Sequence, residues 1–262
     1  MRHPAALSKE PSFLGTNAVF IGRSIRHSLR NVEALLMAIV LPVMLMLLFT
    51  YVFGGALDPS GGYVNYVVPG IILLCAGFGA SSTAVDVATD MTNGIIDRFR
   101  TMPIRSQSVI VGHVAASLLR NLLATGVVIG MALLVGFRPT AGPLEWIGAM
   151  GIIALFILTF TWLYAAIGLV ASSPSAASGY GFALLFLPYL SSAFVSTDTM
   201  PGWLRGIADH QPITPVIETI RGLLTGAPIR NEAWLAVGWC IFILLGALAW
   251  SIWSFRRKAG RR

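Results

Sequence analysis

Arg120, Asp86 and His113 are the residues of this chain best placed to do chemistry, because each is ionisable and stands within or at the edge of a long apolar stretch. An ionisable side chain in hydrocarbon is costly and marks an ion site, a proton relay or a polar bridge between helices. About 12 residues at 1.5 Å per residue set Arg120 some 18 Å into its stretch. An arginine at that depth costs about 2.5–3.5 kcal/mol on insertion scales, so it needs a carboxylate, a carbonyl or water. Asp86 is the nearest candidate partner, although it lies closer to the cytoplasmic end, and His113 matches the depth of Asp86 better. A structural bridge between neighbouring helices is favoured over a proton relay.

Other chemistries find less support. Gly79-Ala80-Ser81-Ser82 together with His113 invites a serine-hydrolase reading, yet the sequence offers neither an oriented third residue nor a nucleophile-elbow pattern. The only lysines are Lys9 and Lys258, and neither completes the phosphate-loop pattern G-x-x-x-x-G-K-[ST], so ATP hydrolysis by that route is excluded. Cys75 and Cys240 both lie in apolar stretches, where cysteine behaves as a small hydrophobe. Neither a disulfide framework nor a metal site is expected, and no cofactor is expected on this chain.

The elements that position these residues follow from composition. The chain is 56% hydrophobic and only 11% charged, with a mean hydropathy of +0.77, whereas soluble domains carry about 25% charged residues. Six segments reach the about 20 apolar residues that a spanning helix needs: 34–56, 65–88, 108–137, 144–171, 178–196 and 233–254. The fold class is thus an all-α polytopic membrane protein. The expected organisation is a flexible tail over 1–16, an interfacial helix over 17–32, a six-helix domain over 33–254 and a basic tail over 255–262.

Basic residues orient the bundle. Most of the 18 fall before the first span, in the loop after the second and in the C-terminal tail, which predicts cytoplasmic termini and an even number of spans. The first 33 residues hold no hydrophobic run with a small-residue cleavage site, so the first span is expected to be its own uncleaved signal. A net charge of +7 could suggest nucleic acid, but the charges sit at span ends rather than in one stripe. Anionic lipid headgroups are the better partner.

Three connections carry information. Over 17–32, Ala18, Ile21, Ile25, Leu29 and Val32 share one helical face and Arg23, Arg26, His27 and Arg30 the other, the pattern of a helix lying on the membrane surface. In the loop after the second span, Ile95, Phe99 and Met102 follow i, i+4, i+7 spacing between Asp97, Arg98 and Arg100, and Pro103 ends the run. A loop that only fixed topology would not need Phe99 and Met102, which resemble a knob for a groove on another protein. In the long external segment, Pro201 and Pro215 open two short helices, the first carrying Trp203, Leu204 and Ile207 and the second Val216, Ile220, Leu223 and Leu224. Within the third span, Gly126 and Gly130 form a small-xxx-small pattern that permits close helix packing. Pro42 and Pro188 are candidate kinks in spans one and five.

The order of amphipathic helix, six spans, an inner Gly94-Ile95-Ile96-Asp97-Arg98-Phe99-Arg100-Thr101-Met102-Pro103 loop and an outer Gln211-Pro212-Ile213-Thr214-Pro215 through Arg221-Gly222-Leu223-Leu224 segment resembles the type-2 ABC transporter permeases. Within these it is most similar to the daunorubicin-resistance class of drug and lipid exporters, over nearly the whole chain. The resemblance implies that residues 94–103 form a coupling helix docked on a separate ATP-binding subunit, which would hold the ATP and Mg. It implies that 200–226 cap the pathway, and that a second permease chain, identical or not, completes it in a bacterial cytoplasmic membrane. Many relatives carry asparagine before the outer proline and glutamate upstream of the inner glycine, where this chain has Gln211 and Asp90. The implied activity is export of lipophilic or amphipathic compounds, and the alternatives are an ion-coupled carrier and a membrane-embedded enzyme.

Overall fold

The computed structural model describes residues 32–93 and 107–259. The expected surface helix over 17–32, apart from its last residue, and the whole Gly94–Pro103 loop lie outside the described residues. Helix α1 spans Val32–Leu47, continues through a π-helical Leu48–Phe53 and closes with a turn at Gly54–Leu57. Then follow α2 (Tyr63–Thr92), α3 (Gln107–Val135), α4 (Pro143–Val170), α5 (Pro174–Leu184), α6 (Gly202–His210), α7 (Ile213–Thr225) and α8 (Glu232–Ala259). All secondary structure among the described residues is helical.

Helix α2 is the axis of the bundle, packed against α1, α3, α4, α5 and α7. Its apolar residues are small or β-branched nearly all round, from Val67 and Ile71 to Ala84 and Ala88, which is what a helix buried on every side requires. At 30 residues it is about 45 Å long, enough to cross both headgroup layers. Helix α4 is the second buried element, and its Ile153, Phe156, Ile157 and Tyr164 pack between α2, α7 and α8. By contrast α1 and α8 expose Leu36, Met44, Val52, Trp234, Phe242 and Leu245 to the surroundings. Such side chains belong in lipid or against another subunit.

Among the described residues five helices are long and apolar enough to cross a bilayer: Ala38–Leu57, Tyr63–Thr92, Ile110–Val135, Pro143–Val170 and Glu232–Ser254. The stretch 178–196, expected as the fifth of six spans, is not one continuous helix. It is α5, 11 residues long, followed by a 3-10 turn at Leu187–Leu190 and irregular chain to Ser196. Pro188 explains the break, since it brings no N–H to a helical ladder and disfavours a helical Leu187 before it. Pro42 sits inside α1 as expected, while Pro69, inside α2, was passed over in the sequence. Gly126 and Gly130 also differ from expectation: a Cβ on either would meet nothing within 4 Å, so among the described residues they make no close packing.

The short connections hold the bundle ends together. At the end expected to face out, the Arg138 N–H donates to Asn65 Oδ1 at 2.9 Å and the Thr140 N–H to the Leu224 carbonyl at 2.9 Å. At the other end Ser173 caps α5, its Oγ accepting from the Ala176 N–H at 3.1 Å.

Candidate functional site

Polar residues at 82, 83, 86 and 90 recur at helical spacing along α2, with Gly79 continuing the same face, as do 113, 117, 120 and 121 along α3. Each set is therefore one stripe on its helix, and the stripes meet along the α2–α3 contact. Nearest the 94–106 connection, His113 Nε2 lies 2.8 Å from Asp90 Oδ2, both side chains partly buried. One to two turns deeper, the Thr83 hydroxyl donates to Ser117 Oγ at 2.8 Å, and Asn121 Nδ2 donates to the same oxygen at 3.3 Å. Arg120 Nη2 donates to Ser82 Oγ at 2.5 Å and to the Gly79 carbonyl at 3.4 Å, while Nη1 stands 4.0 Å from Asp86 Oδ2. Deepest of all, Gly79 lies flush against Asn121, and a Cβ there would come 1.4 Å from Asn121 Oδ1.

The magnitudes rank these contacts. Arg120 is 5% exposed but Asp86 is 41% exposed, so their attraction at 4.0 Å is screened and is worth about 1 kcal/mol or less. The short bond to Ser82 is partly buried and charge-assisted, a class worth about 1.5–3 kcal/mol. The hydroxyl and carbonyl of α2, more than the carboxylate, offset the cost of placing the guanidinium in the span. Asp86 is thus a secondary partner of Arg120, and His113 pairs with Asp90 rather than with Asp86. The hydroxyls of Ser81 and Ser82 turn back to the carbonyls of Phe78 and Gly79 on their own helix. Neither is set against His113 as a nucleophile would be.

A second polar cluster lies at the opposite end of α2. Arg221, on α7, is 6% exposed. Its Nε and Nη2 donate to the Tyr66 carbonyl at 3.2 and 3.1 Å, Nη2 donates to the Ser192 carbonyl at 2.8 Å, and Nη1 pairs with the Glu218 carboxylate. The guanidinium carbon sits 3.8 Å over the Tyr66 ring. Around it, Tyr66 Oη donates to the Ser192 carbonyl at 3.0 Å, Tyr63 Oη to Phe194 at 2.7 Å and Gln211 Nε2 to Leu190 at 2.6 Å. The broken stretch after α5 thus has its carbonyls at 190, 192 and 194 satisfied by side chains of α2, of α7 and of Gln211 between α6 and α7. Irregular backbone survives at membrane depth only when protein supplies such partners.

The outer residues singled out in the sequence divide between two surroundings. Pro201 and Pro212 stand immediately before α6 and α7, and Pro215 is buried in the first turn of α7. Trp203 is 73% exposed on α6 beside exposed Ile207, whereas Val216, Ile220 and Leu224 of α7 are buried in the core. Arg205 on α6 reaches Asp198 at 2.6 Å. Among the described residues no group of three or more His, Cys, Asp or Glu is placed to hold a metal. Sequence reasoning missed Thr83, Ser117 and Asn121 in the seam and Tyr63 and Tyr66 around Arg221, and it named Ser82 and Gln211 without these roles. For the seam the signal was present, as polar positions at i, i+4, i+8 on α2 and i, i+4, i+7 on α3.

Comparison with known proteins gives a consistent family. A family model described as ABC-2 type transporter matches residues 17–225. A daunorubicin resistance ABC transporter permease protein, DrrB1, of Streptomyces coeruleorubidus is 34% identical over 190 residues, covering 72% of this chain and 67% of the relative. A probable doxorubicin resistance ABC transporter permease protein, DrrC, of Mycobacterium tuberculosis is 25% identical over 260 residues, covering 95% of this chain and 87% of the relative. An ABC transporter G family member 20 of Dictyostelium discoideum is 23% identical over 203 residues, 73% of this chain but 27% of the relative.

Proposed function

The chain belongs to the ABC-2 type transporter family, and on that premise we propose that it is the membrane permease subunit of an ATP-binding-cassette exporter that moves lipophilic or amphipathic compounds out of the cytoplasm or inner leaflet. The relatives are named for resistance to daunorubicin and doxorubicin. Long apolar spans with few charges suit such cargo better than ions.

The observation that carries the mechanism is the polar seam between α2 and α3. These are the two helices joined by residues 94–106, so a push on that connection reaches both at once. In this reading Phe99 and Met102, flanked by Asp97, Arg98 and Arg100, dock on a separate ATP-binding subunit, which supplies ATP and Mg. Closure of the paired ATPase subunits tilts α2 and α3, and the seam from Asp90–His113 to Gly79–Asn121 makes them move in register. The exposed faces of α1 and α8 are available to a second permease chain and to lipid, and the cavity opens between two chains in the bacterial cytoplasmic membrane, with the termini inside.

The test is co-reconstitution with the ATPase partner. Phe99→Asp, or deletion of 95–102, is expected to abolish stimulated ATP turnover and cargo movement while membrane insertion stays intact. Normal coupling in those variants would count against the reading. Cargo movement by the purified chain alone, driven by an imposed proton gradient without ATP, would favour an ion-coupled carrier instead.

A further inference from the structure

We propose that Arg221 is a positioning residue that latches the broken stretch 185–196 against α2, and that release of this latch opens the outer end of the pathway. The inference rests on the permease reading for its purpose, but its geometry stands on this chain alone.

Four observations meet at this place. First, one guanidinium holds two separate backbone segments, the Tyr66 carbonyl at the head of α2 and the Ser192 carbonyl in the break. Pro69, one turn on, brings no N–H to the carbonyl of Asn65, so the head of α2 is already a weak stretch of ladder. Second, the break touches α2 directly: a Cβ on Gly70 would meet the Ala193 carbonyl oxygen at 2.7 Å, so the segment fits only because residue 70 has no side chain. Third, the Ser192 hydroxyl and Gln211 Oε1 are both buried without a hydrogen-bond partner among the described residues. The Ser192 hydroxyl therefore adds nothing to the hold on the segment, which is gripped here through its backbone carbonyls. Fourth, the other side of the segment meets α1 through rings, Phe194 stacked on Phe49 at 4.3 Å, while Phe194 also stacks on Tyr189 within the segment at 5.3 Å. A ring stack is less directional than a hydrogen bond, so the guanidinium, with the Tyr63, Tyr66 and Gln211 bonds, sets the closed position and the rings allow a second one.

Arginine suits this role and lysine does not, because only a planar fork reaches two carbonyls and a carboxylate together. Glu218, i−3 on α7, orients the fork. In the open state the segment leaves α2, and the Tyr63 and Tyr66 hydroxyls with Arg221 line the gap.

The experiment places a thiol reporter at Ser192→Cys, where the native hydroxyl makes no hydrogen bond among the described residues, in the permease reconstituted in liposomes with and without its ATPase partner. A membrane-impermeant maleimide is the probe, and peptide mapping separates position 192 from buried Cys75 and Cys240. With Arg221 intact, position 192 is expected to be protected at rest and labelled during ATP turnover. With Arg221→Gln it is expected to label at least tenfold faster without nucleotide, and in the complex ATP turnover persists while cargo moved per ATP falls severalfold. A purely structural role would lose both together. Cys75 labelling reports unfolding; if Arg221→Gln unfolds, Arg221→Lys decides. Wild-type protection of position 192 in the folded variants, or unchanged cargo per ATP, overturns the proposal. Failure of the permease reading shows differently, as wild-type chain that never stimulates an ATPase, and the nucleotide-free labelling arm still tests the latch.

Discussion

Asn121 occupies the space that a side chain on Gly79 would need, its Oδ1 1.4 Å from the ideal Cβ position. The two helices can lie this close only while one carries no side chain and the other a planar amide. Gly79→Ala must therefore separate α2 from α3 or force Asn121 off its rotamer, at a cost of about 1–3 kcal/mol. Thermal unfolding in detergent is expected to show the loss, and Asn121→Ala in the same chain is expected to recover part of it. Purely additive effects of the two substitutions would refute the contact.

The ranking of partners around Arg120 leads to a double-mutant comparison. The Arg120→Gln and Ser82→Ala pair is expected to show a coupling of about 1.5–3 kcal/mol, as for a short, partly buried charge-assisted bond. The Arg120→Gln and Asp86→Asn pair is expected to show about 1 kcal/mol or less, because the carboxylate is partly solvated. Denaturant titration of each single and double variant measures both. The reverse order would mean that the carboxylate is the true anchor.

Helix α6 is expected to lie in the outer headgroup layer. Trp203 and Ile207 stand one turn apart on its open face, with Arg205 paired to Asp198 beside them. Trp203→Phe should remove a distinct, lipid-quenchable share of the tryptophan emission when quencher-labelled lipids are mixed in. Accessibility of that emission to an aqueous quencher alone would remove α6 from the interface.

Cys75 and Cys240 are 0% and 3% exposed. Both thiols are expected to resist maleimide in the folded chain and to react fully in denaturant. Rapid labelling of either under native conditions would contradict the packing of α2 and α8.

What the sequence disclosed follows from how each signal is written. Long apolar runs specify spanning helices directly, so α1 to α4 and α8 were legible to within a few residues. Residues 178–196 are apolar as well, though less so, and their conformation depends on donors outside the stretch, Tyr63, Tyr66, Gln211 and Arg221. Hydropathy counts side chains and is blind to which carbonyls receive a hydrogen bond. Arg120 was conspicuous because charge in hydrocarbon is rare, whereas Ser82, Ser117 and Asn121 passed as ordinary small polar residues. Only the facing of two stripes, a fact of packing, gave them meaning.

The break after α5 has a consequence for how the protein is made. Ser192 leaves the ribosome 29 residues ahead of Arg221, the cation that will cover its carbonyl. Until then the newly made stretch has the Tyr63 and Tyr66 hydroxyls of α2 but neither Gln211 nor Arg221 to meet its exposed backbone in lipid, and the rest must stay wet or remain coiled as an ordinary helix. Its final shape can be set only when α7 arrives and docks. The last piece of the bundle to be synthesised before α8 therefore decides the conformation of the piece before it, and a chain truncated ahead of residue 221 should carry a different fifth segment from the finished one.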